Sequence, residues 1–411
     1  MSGKRCEVRT SAELAAAVAD PDSEVVRVLA DIEDAGPVLL RPGQRLVGEG
    51  TQIVFRPGCD GVRLVRDNEV RGLRLRAAPE RRAVYNATTE ADLGVLALTD
   101  LRVVGQVQIV AEGATTTGQV SIRELDLEAA DTLERTLIDG YGVVSVRQGA
   151  LTVWNRQPSD GSVLTARIEG VRVGRESAPV RGAGIVVSGA GDPSGRMVPQ
   201  PVPAGRVRLS MLDADEVFAD GGVEVGTADL IAGGVLVLFG VEAELVRLRA
   251  AVITYGVNDM VVDNWGDVER WQCAALTSHG ASAVGVVNFG VIGELTVAEP
   301  ITTYGTGARG LNVYLGHIGT ADLHSVDTHG DAAVGIQISQ PVRRLVVREG
   351  VRTRGGSGPS LVRGEIVELS ATALSVLEGG DIDELRLGGG LDAAKASALQ
   401  VRGRIGNMMV A

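Results

Sequence analysis

A five-residue motif recurs about every 25 residues in the second half of the chain, and this repeat constrains the fold more than any other feature. Each copy has an aliphatic residue, a variable residue, Thr or Ser, a Tyr, His or Arg, and a glycine. The glycines are 24, 25, 25 and 25 residues apart. A fixed period of this size is typical of a stacked solenoid. The copies are residues 252–256, 276–280, 301–305, 326–330 and 351–355.

The repeated unit is strand, turn, strand, with no helical periodicity between the glycines, and this pattern predicts an all-β, single-stranded parallel β-helix. The 55 glycines and the 3% aromatic content suit many short strands joined by tight turns. Thr10 and Glu13 form a capping-box pattern, which predicts a short helix that covers the first coil. We expect one domain over residues 1–411: a cap at 7–20, coils at 21–360 with loop insertions at 79–90, 155–161 and 189–205, and C-terminal coils at 361–411.

The segment Pro42-Gly-Gln-Arg-Leu-Val-Gly-Glu-Gly-Thr51, followed by strand-like stretches at 62–64 and 70–75, resembles the opening coils of the pectate lyase-like superfamily. The resemblance implies a right-handed parallel β-helix. Members of that superfamily include polysaccharide lyases, glycoside hydrolases, epimerases, esterases and inert rods. The resemblance therefore implies a fold and a carbohydrate context, and by itself it specifies no reaction.

Charge and hydropathy exclude several function classes. The net charge of −12 disfavours nucleic-acid binding, which needs clustered Lys and Arg. The sequence has no run of 18 apolar residues, so we expect no membrane span. The first residues lack a signal-peptide pattern, so we expect a cytoplasmic protein. The widely spaced Cys6, Cys59 and Cys273 predict reduced thiols. We expect no metal ion and no cofactor.

All four histidines and half of the aromatic residues fall between Tyr255 and His329, which predicts a functional surface in these coils. Alternation turns the Thr and Ser of each copy inward and the residue before each glycine outward. The outward residues would then form a row about 4.8 Å apart. That row consists of Tyr255, His279, Tyr304, His329 and Arg354.

A row of this composition can carry out proton chemistry, because imidazole titrates near neutrality, tyrosine can donate a proton and arginine can hold an anion. Asp327 would lie beside His329 and orient its ring. The predicted catalytic residues are His279, Tyr304, His329, Asp327 and Arg354, and the alternative is an ordinary polar surface whose rings merely stack. The predicted substrate-binding residues are Tyr255, Asp259, Asp263, Trp265, Asn288, Asn312, Tyr314 and Gln337.

The pairs Asn258-Asp259 and Asp263-Asn264, with His279-Gly280 after them, resemble the Asn-Thr-Asp, Asp-Asp and Gly-His-Gly series of β-helical polygalacturonases. The adjacent Asp-Asp and the first Gly of that series are missing here, which puts hydrolysis by two carboxyl groups in doubt. We therefore expect an enzyme of the lyase, isomerase or hydrolase type that acts on a saccharide or small acid. The rival is a ligand-binding or structural rod that self-associates through the apolar end 405–411.

Overall fold

The computed structural model describes residues 4–141, 144–190, 204–362 and 365–410, and within these ranges it has one helix and forty strands. No described helix combines the length and the hydropathy that a membrane crossing requires. The elements in chain order are β1 Lys4–Val8, α1 Ser11–Ala19, β2 Ser23–Val28, β3 Ile32–Ala35, β4 Val38–Leu39, β5 Arg45–Phe55, β6 Val62–Leu64, β7 Glu69–Arg76, β8 Arg82–Asn86, β9 Asp92–Val104, β10 Gln106–Ala111, β11 Thr117–Ala129, β12 Ile138–Asp139, β13 Ser145–Val146, β14 Gly149–Asn155, β15 Val163–Val173, β16 Val180–Arg181, β17 Ala183–Ser188, β18 Arg206–Asp220, β19 Leu230–Val237, β20 Val241–Leu248, β21 Val252–Thr254, β22 Asp259–Asn264, β23 Asp267–Cys273, β24 Leu276–Ser278, β25 Val284–Asn288, β26 Val291–Val297, β27 Ile301–Thr303, β28 Arg309–Val313, β29 His317–Leu323, β30 Val326–Thr328, β31 Val334–Ile338, β32 Pro341–Val347, β33 Val351–Thr353, β34 Ser357–Val362, β35 Glu365–Ser370, β36 Leu374–Val376, β37 Asp381–Leu387, β38 Leu391–Ala393, β39 Leu399–Val401 and β40 Arg404–Val410.

The single helix covers the first coil, as its capping box predicts. The Thr10 hydroxyl accepts a hydrogen bond from the Glu13 amide at 3.2 Å, and the Glu13 carboxylate accepts one from the Arg9 amide at 2.7 Å. Together they satisfy two amides at the helix N-terminus. Leu14 and Val18 are buried against the first coils, so the helix closes the apolar interior at this end.

Successive coils pair in parallel and in register, which confirms the predicted parallel β-helix. In the repeat region each coil has three strands, and equivalent strands of successive coils form three walls. Wall A contains the seven-residue strands β23, β26, β29, β32 and β37. Wall B contains the three-residue strands β21, β24, β27, β30 and β33. Wall C contains β22, β25, β28, β31 and β36.

The interior is a column of aliphatic side chains with a line of hydroxyls beside it. The predicted inward hydroxyls Thr254, Ser278, Thr303, Thr328 and Thr353 are all buried, so the alternation expected from the repeat is correct. Thr328 donates to the Ala333 carbonyl at 2.8 Å. Alternating orientation along each wall B strand therefore places the residues before the glycines on the outside.

Two segments differ from the predicted organisation. Strands β34 and β35, expected to belong to coils, pair antiparallel as a hairpin that leaves the solenoid. Ile336 pairs with Leu374, 38 residues later, whereas Leu311 pairs with Ile336 after the usual 25, so the hairpin is an insertion between coils. The predicted loop 79–90 contains β8, because Ala83 and Val84 are buried in the core. Of the loop predicted at 189–205, residues 191–203 lie outside the described residues.

The repeated glycines lie where the backbone turns of successive coils touch. A Cβ atom on Gly305 would be 1.8 Å from the Gly280 carbonyl oxygen, and one on Gly330 would be 2.1 Å from the Gly305 oxygen. No side chain larger than hydrogen fits at such a distance. The coil spacing thus requires glycine at Gly280, Gly305, Gly330 and Gly355, where the same close approach to the preceding turn occurs.

We predict that Gly305→Ala lowers the free energy of unfolding by about 1–3 kcal/mol or more, because the added methyl group forces two turns apart. Urea denaturation followed by circular dichroism measures this change. Gly36→Ala is the matched control, since a Cβ at Gly36 meets no atom within 4 Å. Equal unfolding free energies for the two variants would refute the close-approach explanation.

Candidate functional site

The row predicted on the outside of wall B is present. The ring centroids of Tyr255 and His279 are 5.1 Å apart, those of His279 and Tyr304 are 5.0 Å apart, and those of Tyr304 and His329 are 4.7 Å apart. The planes of successive rings differ by 5°, 10° and 27°, so the rings are stacked. Together with Arg354 we call these residues the Tyr–His row.

Asp327 contacts the last two members of the Tyr–His row, His329 and Arg354. Its carboxylate accepts hydrogen bonds from Arg354 at 2.9 and 3.2 Å and lies 3.5 Å from His329 Nε2. The Asp327 carboxylate raises the pKa of Arg354 by hydrogen bonding and by charge. Tyr304 is 46% exposed, and the stacked rings cover one another's faces, so the row presents ring edges to solvent. The catalytic roles of His279, Tyr304, His329, Asp327 and Arg354 stay predictions.

A second arrangement lies on wall C, where polar side chains line a cleft of about 170 Å³. This volume is smaller than the roughly 300–1,000 Å³ of pockets for drug-sized ligands, so it suits a small ligand or one part of a larger ligand. Tyr141 borders the cleft at one end, and Leu361 of the hairpin borders it at the other. The predicted binding residues among its lining are Asp263, Asn312, Tyr314 and Gln337. We call it the wall C cleft.

Asp263 is a fully buried acid at the floor of the wall C cleft. It has 0% exposure, and neither carboxyl oxygen makes a well-aligned hydrogen bond to another described residue. Burial raises the pKa of Asp263 well above its ordinary value, and the indole of Trp265 only partly opposes this rise. The paired positions in the neighbouring coils are Leu236 and Val287, so the fold itself does not need an acid here.

Arg309 is the positive counterpart in the same cleft. Its side chain is 5% exposed and donates to the Gly307 carbonyl and the Ser360 hydroxyl, both at 3.2 Å, and to the Gln337 amide oxygen at 3.5 Å. All three acceptors are neutral, and no carboxylate of the described residues forms an ion pair with Arg309. Burial lowers the pKa of Arg309 to about 10, so the guanidinium is still charged at neutral pH.

Aromatic rings form one side of the cleft. Tyr141 packs against Trp265 at 5.0 Å and against Phe289 at 4.6 Å between ring centroids, and Phe289 packs against Tyr314 at 4.9 Å. Burial raises the pKa of Tyr141, and a negative charge on Asp263 or Tyr314 would raise it further. The lining of the wall C cleft thus combines the charged Arg309 with flat aromatic surfaces, as in many ligand pockets.

The remaining predicted binding residues lie elsewhere. The Asn288 amide accepts from Asn264 at 2.8 Å and donates to backbone carbonyls of the corner between walls C and A. Asp259 accepts hydrogen bonds from the amides of Gly221 and Gly256, and burial raises its pKa to about 7. Trp265 packs beneath the cleft, and Tyr255 belongs to the Tyr–His row on the other wall.

Sequence reasoning missed Arg309, Tyr141 and Ser360. Arg309 could have been found, because the equivalent positions in neighbouring coils are the apolar residues Val284 and Val334. An arginine that interrupts an apolar column of a repeat is a signal of this kind. Tyr141 and Ser360 belong to segments between coils, where the 25-residue period says nothing about position.

Within the described ranges, no group of three His, Cys, Asp or Glu side chains is placed to hold a metal ion. Comparison with models of protein families, with curated proteins and with solved structures found no match to this chain. The assignment of the wall C cleft as a candidate site therefore depends only on the geometry of its residues.

The protonation of Asp263 can be tested through stability. Since its pKa is higher in the folded than in the unfolded chain, the folded chain keeps a proton that the unfolded chain releases above about pH 4. The contribution of Asp263 to stability is then lost as the pH rises. We predict that Asp263→Asn gains stability relative to the unmodified protein from pH 4 to pH 8, by up to about 1.4 kcal/mol per pH unit.

Urea denaturation at several pH values measures this difference, and Asp60→Asn is the control. Burial alone would raise the pKa of Asp60, but hydrogen bonds from Arg82 outweigh it and lower that pKa. Asp60 is thus ionised in both states above about pH 5, and its variant should differ by a constant amount from about pH 5 to pH 8. A constant difference for Asp263→Asn as well would show that Asp263 is ionised in the folded chain.

Proposed function

We propose that this protein is a carbohydrate-active enzyme of the lyase or isomerase type that binds its substrate in the wall C cleft. The neutral carboxyl group of Asp263 protonates the glycosidic oxygen as the C1–O bond breaks. The Asp263 carboxylate left behind then removes a proton from C2, so a C1=C2 double bond forms and Asp263 regains its proton. The rings of Tyr141, Phe289 and Tyr314 offer apolar surfaces to the C–H face of a sugar, and Asn312 and Gln337 offer amide groups to its hydroxyls.

The observation that carries the proposal is Asp263, a fully buried acid whose carboxyl oxygens make no well-aligned hydrogen bond to another described residue. Burying such a group costs several kcal/mol in an apolar site, and an aliphatic residue occupies the paired position in both adjacent coils. An acid whose pKa is raised toward neutrality by burial is suited to general-acid catalysis. Strongly perturbed acids in clefts are candidates for catalysis for this reason.

The composition of the cleft favours a lyase or isomerase over a hydrolase. Hydrolysis of a glycosidic bond commonly uses two carboxyl groups about 5–10 Å apart. Among the described residues that line the wall C cleft, Asp263 is the only carboxylic acid. A relationship to the pectate lyase-like superfamily is part of the proposal and is supported by the parallel β-helix and by the segment 42–51.

One observation favours the rival function of a self-associating rod. In the last strand, β40, the side chains of Met408, Met409 and Val410 are exposed, and β40 pairs with β37 only, among the described residues. An unpaired edge with exposed apolar side chains favours pairing with another chain. A monomeric mass by light scattering that is unaffected by Met409→Lys would exclude this association.

We predict that Asp263→Asn lowers kcat by about 100-fold or more, because the amide cannot donate the catalytic proton. Product formation from a panel of neutral and acidic di- and trisaccharides, followed by NMR, measures the effect. The control is Asp322→Asn, which removes a surface carboxylate paired with Arg348 on wall A and should leave kcat unchanged. Unchanged turnover by Asp263→Asn would disprove the proposed role.

The same assay separates the wall C cleft from the Tyr–His row. If the cleft carries the reaction, His329→Ala retains activity, because His329 lies on the outside of wall B at the end of the stack. Loss of activity in His329→Ala with normal turnover in Asp263→Asn would show that the reaction takes place at the Tyr–His row and not in the wall C cleft.

A further inference from the structure

Asp263 and Arg309 lie at different heights along the rod. Asp263 is on β22, and Arg309 is on β28, two coils further along. At about 4.8 Å per coil their backbones are about 10 Å apart along the axis. The Arg309 side chain then reaches toward the hairpin, since its partners are Gln337 on the next coil and Ser360 on β34. The acid and the cation therefore face different parts of one cleft.

Arg309 can bind an anion, because its hydrogen-bond acceptors among the described residues are all neutral. A guanidinium has five N–H donors, and the three hydrogen bonds of Arg309 all go to neutral acceptors. A buried cation without a counter-charge is costly, and an anionic ligand would remove that cost. The planar N–H fork fits carboxylate, sulfate and phosphate groups.

The part of the cleft near Asp263, by contrast, favours an uncharged ligand group. Burial already raises the pKa of Asp263, and the aromatic rings of Tyr141, Phe289 and Tyr314 line the same cleft. An anion next to Asp263 would meet the aromatic surface without a cation to compensate it. The sugar unit that reaches Asp263 is therefore expected to be uncharged.

Because Arg309 favours an anion and the surroundings of Asp263 disfavour one, we propose that the substrate is a saccharide of at least two units. An uncharged unit reacts at Asp263, and a neighbouring unit carries an anionic group that Arg309 binds. The inference rests on the proposed function and extends it, since it names the substrate class and places the charge away from the reacting bond. Binding energy from the remote anion then positions the reacting unit.

Calorimetric titration with three matched probes tests the inference: a uronic acid linked to a neutral hexose, its methyl ester, and the same disaccharide carrying a sulfate in place of the carboxylate. The acid should bind the unmodified protein at least tenfold more tightly than the ester. Arg309→Met should lose this tenfold preference while its affinity for the ester is retained, and Arg309→Lys should keep part of it. The sulfated probe shows whether carboxylate or sulfate is the better anion.

Arg348→Met is the control, because Arg348 pairs with Asp322 on the surface of wall A, and it should keep the full preference for the acid. Equal affinities of the unmodified protein for acid and ester would overturn the anion site even if Arg309→Met failed to fold, and would leave the proposed function standing. Reaction at the uronic acid unit, identified by NMR of the products, would also overturn the inference that the reacting unit is uncharged. If none of the probes nor the neutral disaccharide bound, both the inference and the proposed function would fail.

Discussion

Parallel pairing between successive coils determines the spacing of every wall and the position of every outward side chain. Each coil places its backbone amides and carbonyls against those of the next coil, so equivalent residues lie one above another about 4.8 Å apart. At the wall B turn the coils approach so closely that only glycine fits, as the contact between Gly305 and the Gly280 carbonyl demonstrates. The regular spacing of the side chains on every wall follows from this pairing.

The parts of the molecule that obey the period could be predicted from the sequence. The period alone predicts that Tyr304 lies between His279 and His329, and the stacked rings confirm that geometry. What lies between the coils could not be predicted in the same way. The hairpin at 357–370 was expected to be coil strands, because its alternating apolar residues have the same period of two as a wall strand. The end of the cleft next to Leu361 was missed for that reason.

The candidate site is where the chain departs from its own repeat. Asp263 and Arg309 each replace an aliphatic side chain of the neighbouring coils, and neither finds an opposite charge among the described residues. Two such groups destabilise the fold, and a repeat protein could avoid them by continuing its apolar columns. Asp263 was singled out because Asn258-Asp259 and Asp263-Asn264 resemble a polygalacturonase series, whereas Arg309 became evident only from its surroundings in the folded chain.

The central claim is that wall C, rather than the outside of wall B, holds the ligand. The decisive experiment is a crystal structure of the protein soaked with a saccharide that joins a neutral and an acidic unit. We expect density in the cleft, with an anionic group within hydrogen-bond distance of the Arg309 guanidinium and a neutral ring over Phe289 near Asp263. Density along Tyr255, His279 and Tyr304, with an empty cleft, would contradict it.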